Sequence, residues 1–63
     1  MSTPEERVRT YRSRAEEIRT AAEGMRHADS RATFLRIARD YDLMADTLEG
    51  KITLELRRKS QRS

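Results

Sequence analysis

Residues 24–30 read Gly24-Met25-Arg26-His27-Ala28-Asp29-Ser30 and separate two stripes of apolar residues. Each stripe has the alternating three- and four-residue spacing that places its members on one face of an α-helix. The second stripe begins two residues ahead of the position that the first would continue to, so the two would lie ~200° apart on an unbroken helix. A turn within 24–30 lets both stripes face each other. We therefore predict a turn, at about residues 27–29.

The stripe before the turn predicts a helix over about residues 4–26. Its members are Val8, Tyr11, Ala15, Ile18, Ala22 and Met25. Thr3 is a suitable N-cap, Pro4 fits the first helical position, and Glu6 completes a capping box. The sustained three-and-four spacing is typical of a coiled-coil seam.

The stripe after the turn predicts a second helix over about residues 30–49. Its members are Phe34, Ile37, Tyr41, Met44 and Leu48. Further apolar residues widen it on one side, namely Leu35, Ala38, Ala45 and Ile52. The resulting face is broader than a single partner helix can cover. Asp29 or Ser30 is a candidate N-cap, and Gly50 is a candidate C-cap.

These elements predict an all-α fold, a two-helix antiparallel hairpin over residues 1–50. So small a chain usually needs disulfides, a metal or a partner, and this one has no cysteine. We therefore expect the hairpin to self-associate into a four-helix bundle, most simply as a homodimer, with a higher oligomer or a different partner as alternatives. The predicted seam for core and oligomer contacts comprises Val8, Tyr11, Ile18, Met25, Phe34, Leu35, Ile37, Tyr41, Met44, Leu48 and Ile52.

The positive charge of the chain is concentrated in its last 13 residues. Residues 1–50 carry nine arginines against ten acidic residues, whereas residues 51–63 have five basic residues and one acidic residue. We expect this basic tail to extend the second helix, fraying at its end, or to be disordered. Its cluster is a candidate polyanion-binding site, formed by Arg57, Arg58, Lys59 and Arg62. The alternative is that the tail serves only solubility.

Composition excludes several classes of protein. Without cysteine there is no disulfide framework and no thiolate chemistry. The first residues are polar and acidic, unlike a signal peptide, and no apolar run reaches the ~18 residues that span a bilayer. Disorder is a rival interpretation because 40% of the residues are charged, but the regular apolar spacing argues against it. We expect a cytoplasmic protein without cofactor or metal.

Few residues carry catalytic potential. His27 and Asp29 are a possible part of a metal site, but an exposed turn histidine is the simpler interpretation, since catalytic zinc needs three protein ligands. Asp40, Asp42 and Asp46 could bind a hard cation. The arginines just before them, at 36 and 39, favour a solvated, ion-paired face instead.

Two further sets of residues have both a structural and a functional interpretation. Arg12, Arg19 and Arg26 recur every seven residues and could follow a phosphate backbone. The acidic residues between them favour covering the core edge and pairing with acids of the neighbouring helix. Tyr11 and Tyr41 are expected in the core rather than as stacking partners for bases.

The chain resembles a loose group of short alphaproteobacterial helical-hairpin proteins. The similar residues are Tyr11-Arg12, Ala15-Glu16-Glu17-Ile18-Arg19, Ala22, Met25, Arg31-Ala32-Thr33-Phe34-Leu35-Arg36-Ile37-Ala38, Tyr41-Asp42 and Met44-Ala45. The likeness covers about residues 8–49 and leaves the tail outside. Members often have Asp-Pro at the turn, where this chain has His27-Ala28, so the resemblance implies a break there. No activity is assigned to the group, so it implies none.

The sequence therefore predicts a small non-enzymatic interaction and oligomerisation protein, with a regulatory role as one option, which binds a protein partner through its helix faces. The alternative is a nucleic-acid-associated protein that uses the basic tail. A third hypothesis is an enzyme whose site lies between subunits and uses His27, Asp40 and Asp42.

Overall fold

The computed structural model describes residues 3–60 as two α-helices packed against each other. Helix α1 spans Pro4–Glu23 and helix α2 spans Ala28–Ser60. The part of the chain that is described measures 56 × 20 × 14 Å. The predicted all-α class and the packing of two helices are confirmed.

Helix α1 begins where the sequence predicts. Thr3 is the N-cap, and its Oγ1 accepts a hydrogen bond from the Glu6 N–H at 3.1 Å. Pro4 occupies the first turn, where its missing N–H leaves no helical bond unmade. Glu5 and Glu6 place negative charge at the positive end of the helix dipole. Local chemistry alone therefore sets this end of the hairpin.

Helix α1 ends three residues earlier than predicted, at Glu23. The N–H groups of Gly24 and Met25 donate to the carbonyls of Ala21 and Ala22, at 3.2 and 3.1 Å. These contacts span three residues rather than four, which tightens the last turn and satisfies two terminal carbonyls. The connection is thus residues 24–27, near the start of the stretch that the sequence indicates.

Helix α2 begins at Ala28, ahead of the two caps proposed from the sequence. The Arg31 N–H donates to the His27 carbonyl at 3.0 Å, and the Arg31 guanidinium donates to the Met25 carbonyl at 2.9 Å. Asp29 lies inside the first turn, where its charge is favourable. Arg31 thus joins the connection to the second helix.

Helix α2 also runs past its predicted end. Gly50 lies within the helix, which continues to Ser60. A glycine inside a helix costs only ~1 kcal/mol relative to alanine, and the helix tolerates that cost here. The basic tail is helical as far as Ser60, and Arg62 lies outside the described residues.

The second helix is much longer than the first. Its 33 residues correspond to about 50 Å, against about 30 Å for the 20 residues of α1. Glu5 and Val8 share a groove with Ile52 and Thr53, so α1 begins at the level of Thr53. Residues 54–60 therefore extend about 10 Å beyond α1.

The contact between the helices, here called the seam, is built from small side chains. The most buried residues are Ala15 and Ala45 at 0% exposure, Ala22 and Ala38 at 1%, and Val8 at 8%. Half-buried residues flank them, namely Tyr11, Ile18, Met25, Phe34, Tyr41, Leu48 and Ile52. Alanines allow two helix backbones to approach closely, towards the short end of the usual 8–10 Å. No large side chain of residues 3–60 is fully enclosed.

Candidate functional site: the two sides of the hairpin

The hairpin has two sides of opposite chemistry because α2 presents different residues on either flank of the seam. Ala45 faces α1, and its sequence neighbours Met44 and Asp46 point ~100° away in opposite directions. The flank that begins at Met44 is apolar, and the flank that begins at Asp46 is acidic. One heptad earlier the apolar flank continues with Ile37, which precedes Ala38, whereas the other flank holds the cation Arg39.

The ion-paired side joins the two helices through arginines and carboxylates. Arg12 contacts Asp46 at 3.0 Å, Glu49 more closely, and Asp42 at 3.9 Å. Arg19 donates to Asp42 at 2.7 Å. The prediction that the three heptad-spaced arginines pair with acids of the neighbouring helix is confirmed for Arg12 and Arg19, whereas Arg26 lies in the connection, outside α1.

The network holds Arg12 as a cation. The hydrogen bonds that its guanidinium donates, first to Glu49 and then to Asp46, raise the pKa of Arg12 above its ordinary value. Asp42 is the more enclosed carboxylate, with its side chain 32% exposed, and it lies between both arginines. Since Asp46 and Glu49 are exposed, this network contributes to pairing and register more than to total stability.

We expect Arg12→Gln to lower the melting temperature modestly at low salt, because it removes all three contacts of that guanidinium. At 1 M NaCl the difference from the unsubstituted chain should shrink, since salt screens exposed ion pairs over about 3 Å. Circular dichroism melts at 20 mM and 1 M NaCl measure this. The matched control is Arg36→Gln at an exposed arginine of α2, and an equal loss in both variants would contradict the assignment.

The apolar side is defined by Tyr11, Ile18, Ile37, Tyr41, Met44 and Leu48. The Tyr11 and Tyr41 rings lie 6.2 Å apart between centroids and are tilted by 37°, a favourable aromatic pair. Ile37 and Met44 are 40% and 42% exposed. A shallow groove along this side is lined by Arg7, Tyr11, Leu43, Met44, Thr47, Leu48 and Lys51.

The structure divides the residues of the predicted seam into three groups. Eight of them lie between the helices, namely Val8, Tyr11, Ile18, Met25, Phe34, Tyr41, Leu48 and Ile52. Ile37 and Met44 lie instead on the apolar side, next to the seam and outside it. Leu35 lies seven residues before Asp42, on the ion-paired side, and is 43% exposed. Ala38 and Ala45, which were predicted to widen the stripe on one side, instead lie at the centre of the seam.

The residues weighed for catalysis do not assemble. Asp42 and Asp46 are engaged by α1 arginines, whereas Asp40 lies on the other flank of α2 and His27 lies in the connection. Within residues 3–60, no group of three or more histidine or acidic side chains is placed to hold a metal ion.

The basic cluster extends beyond the hairpin. Arg57, Arg58 and Lys59 are exposed on the last turns of α2, and Arg58 lies 3.8 Å from Glu55. Leu54 and Leu56 are also exposed there. In the described chain, neither helix is long and apolar enough to cross a bilayer.

Comparisons with known proteins do not identify this arrangement. Comparison with protein-family models, with curated proteins and with solved structures finds no match for the chain. The resemblance to alphaproteobacterial hairpin proteins therefore stays a prediction, and any functional argument depends on the two sides of the hairpin and its basic extension.

Proposed function

We propose that this chain is a non-enzymatic helical interaction protein whose apolar side binds a second copy, giving a four-helix bundle. The observation that carries the proposal is the uneven covering of α2. One flank is occupied by the arginines of α1, whereas the other leaves Ile37 and Met44 40% and 42% exposed. In a twofold dimer the same flank of each copy lies against the other, so one interface covers the exposed apolar residues of both copies.

The thinness of the seam supports an obligatory partner. Its buried residues are one valine and four alanines. Complete burial of an apolar side chain contributes ~25 cal/mol per Å² of surface, so alanines contribute little. The larger residues, such as Tyr41 and Leu48, are only half-buried in one hairpin. Face-to-face packing of two hairpins encloses them, as in a four-helix bundle.

The ion-paired sides face outward in such a bundle. Charged surfaces of this kind select partners and speed association more than they add affinity. We propose that a further protein partner binds there, so that self-association supplies the scaffold and the polar sides supply recognition.

Sedimentation equilibrium tests the self-association. We expect a mass of twice the 7.4 kDa chain at tens of micromolar, with helical circular dichroism that weakens on dilution as the dimer dissociates. The full chain is used, so that the basic extension is present. A helical species of single-chain mass throughout the concentration series would refute the proposal.

A second candidate function is binding of nucleic acid, favoured by the position of the basic cluster. Because residues 54–60 extend beyond α1, the cations at 57, 58 and 59 are open to a phosphate backbone. Arg62, which belongs to the same predicted set, lies outside the described residues. Binding of this kind weakens as salt rises, because counterions are released from the nucleic acid.

Replacing Arg57, Arg58 and Lys59 together by alanine tests this candidate. We expect the variant to lose most affinity for a fluorescent single-stranded oligonucleotide at 50 mM salt, and to flatten the slope of log affinity against log salt by about 2. Fluorescence anisotropy is the measurement. A control removes equal charge from Arg9, Arg36 and Arg39, and equal losses in both variants would show unspecific attraction.

A further inference from the structure

Helix α2 carries a second heptad stripe one residue out of step with the seam. We call it the outer stripe, and it consists of Thr33, Ile37, Asp40, Met44, Thr47, Lys51, Leu54 and Arg58. Its spacing alternates four and three without interruption, and all eight residues are exposed. Six of the eight directly precede a seam position and the other two precede its continuation, so the stripe lies ~100° round α2 from α1. It is therefore a helix face free to receive another helix.

The outer stripe is complementary to itself when read in reverse. Antiparallel alignment of two copies brings Ile37 to Leu54 of the partner subunit, and Asp40 to Lys51 of the partner subunit. Met44 meets Thr47 of the partner subunit at the centre. Every member then has a counterpart, since the remaining pair joins Thr33 to Arg58 of the partner subunit. An apolar pair and an opposite-charge pair each occur twice by symmetry.

We infer that the second copy docks through this stripe, with the two α2 helices antiparallel and the twofold axis passing between residues 45 and 46. The inference rests on the proposed self-association and adds its geometry. The segment 54–60, which has no α1 beside it, then lies along the first half of the partner's α2. Leu54, 57% exposed in one hairpin, is covered by Ile37 of the partner subunit.

Charge distinguishes this arrangement from its alternatives. Parallel α2 helices would place Asp40 beside Asp40 and Lys51 beside Lys51, and like charges in facing positions are destabilising. An antiparallel register shifted by one heptad, which brings Met44 to Leu54, moves Ile37 past the described end of the partner's helix. On α1 the equivalent positions hold Arg7, Thr10, Arg14 and Glu17, so α1 offers polar and charged side chains rather than an apolar contact.

The groove on the apolar side agrees with the inference. Leu43, Met44, Thr47, Leu48 and Lys51 line it on α2, and these residues surround the proposed twofold axis. The side chains that would enter it come from the same stretch of the partner. One surface thus supplies both the groove and its occupant.

Spin-label distances test the geometry directly, because the chain has no cysteine of its own. We use two full-length variants, Ser60→Cys and Ser30→Cys, each labelled at an exposed position. The proposed axis places both pairs of labels about 45 Å apart, from 1.5 Å of rise per residue. Parallel α2 helices would bring each pair within about 25 Å, and a one-heptad shift would give about 35 and 60 Å. Either result in a dimer overturns the geometry alone.

Charge exchange supplies the second arm of the test. We expect Lys51→Asp to raise the dimer dissociation constant roughly tenfold, because two attractive pairs become repulsive. The double variant Asp40→Lys, Lys51→Asp should return it to within about threefold of the original. Failure of that rescue in a folded dimer would refute the register. A monomeric unsubstituted chain would refute the self-association on which it rests.

Discussion

Replacing Met44 by aspartate is expected to abolish the proposed dimer and, with it, most of the helicity at micromolar concentration. Met44 lies at the centre of the outer stripe, 42% exposed in one hairpin and enclosed once a second copy docks. A carboxylate enclosed there without a partner costs several kcal/mol, and twofold symmetry introduces it twice. We expect single-chain mass in sedimentation equilibrium and a reduced helical signal in circular dichroism. Ile37→Asp should act in the same direction.

Leu35→Asp is the matched control for this prediction. Leu35 is 43% exposed and sits on the same helix, but it lies on the ion-paired side, away from the outer stripe. A carboxylate at that position remains in water in both hairpin and dimer, so the mass should stay that of a dimer. Equal dissociation of both variants would mean that assembly depends on the amount of apolar surface lost and not on which side of the helix loses it. Unchanged mass for Met44→Asp would remove the apolar side as the interface.

The helix starts show what local sequence determines. Thr3, Pro4 and Glu6 act within one turn of each other, so the beginning of α1 is predictable without knowledge of the fold. The far end of α2 is different. Gly50 suggests that the helix ends there, but a glycine costs only ~1 kcal/mol and the helix continues through it. The last turn carries cations, which interact favourably with the negative end of the helix dipole.

The phase of the seam on α2 is the principal difference between prediction and structure. Large apolar residues dominate a periodic pattern, so the sequence predicts that Ile37 and Met44 belong to the stripe that faces α1. In the hairpin the alanines at 38 and 45 occupy the contact instead. The predicted stripe and the observed seam both alternate three- and four-residue spacings and share Phe34, Tyr41 and Leu48. They differ by one residue at the two remaining positions, so spacing alone does not decide which of them faces α1.

Predicting the ion pairs requires the alignment of α2 against α1, which spacing within one helix does not determine. Spacing within α2 suggested Arg36 and Arg39 as partners for the nearby aspartates. Asp42 instead pairs with two arginines of α1. Those arginines flank the alanine seam, so the same alignment that buries the alanines brings the charges together. The prediction was correct about an ion-paired face and about Arg12 and Arg19, and it missed the partners of Asp42.

A second substitution with a large expected effect tests the seam itself. Ala45→Leu should lower the free energy of unfolding by about 1–3 kcal/mol, because three added carbons must fit into a seam where Ala45 is already fully buried. For a domain of this size that corresponds to a melting temperature lower by roughly 5–20 °C. Leucine is nearly as good a helix former as alanine, so propensity does not account for the loss. Circular dichroism melts measure it.

Ala32→Leu separates crowding from the chemistry of the substitution. Ala32 is exposed on the same helix, so the same side chain there should leave the melting temperature within a few degrees. A loosely packed seam would instead gain apolar burial from leucine at 45, and the melting temperature would rise. An alanine seam lets the helices approach closely, and it also leaves the larger apolar side chains on either flank only partly covered. A higher melting temperature for Ala45→Leu would therefore remove the thin alanine seam as support for an obligatory second copy.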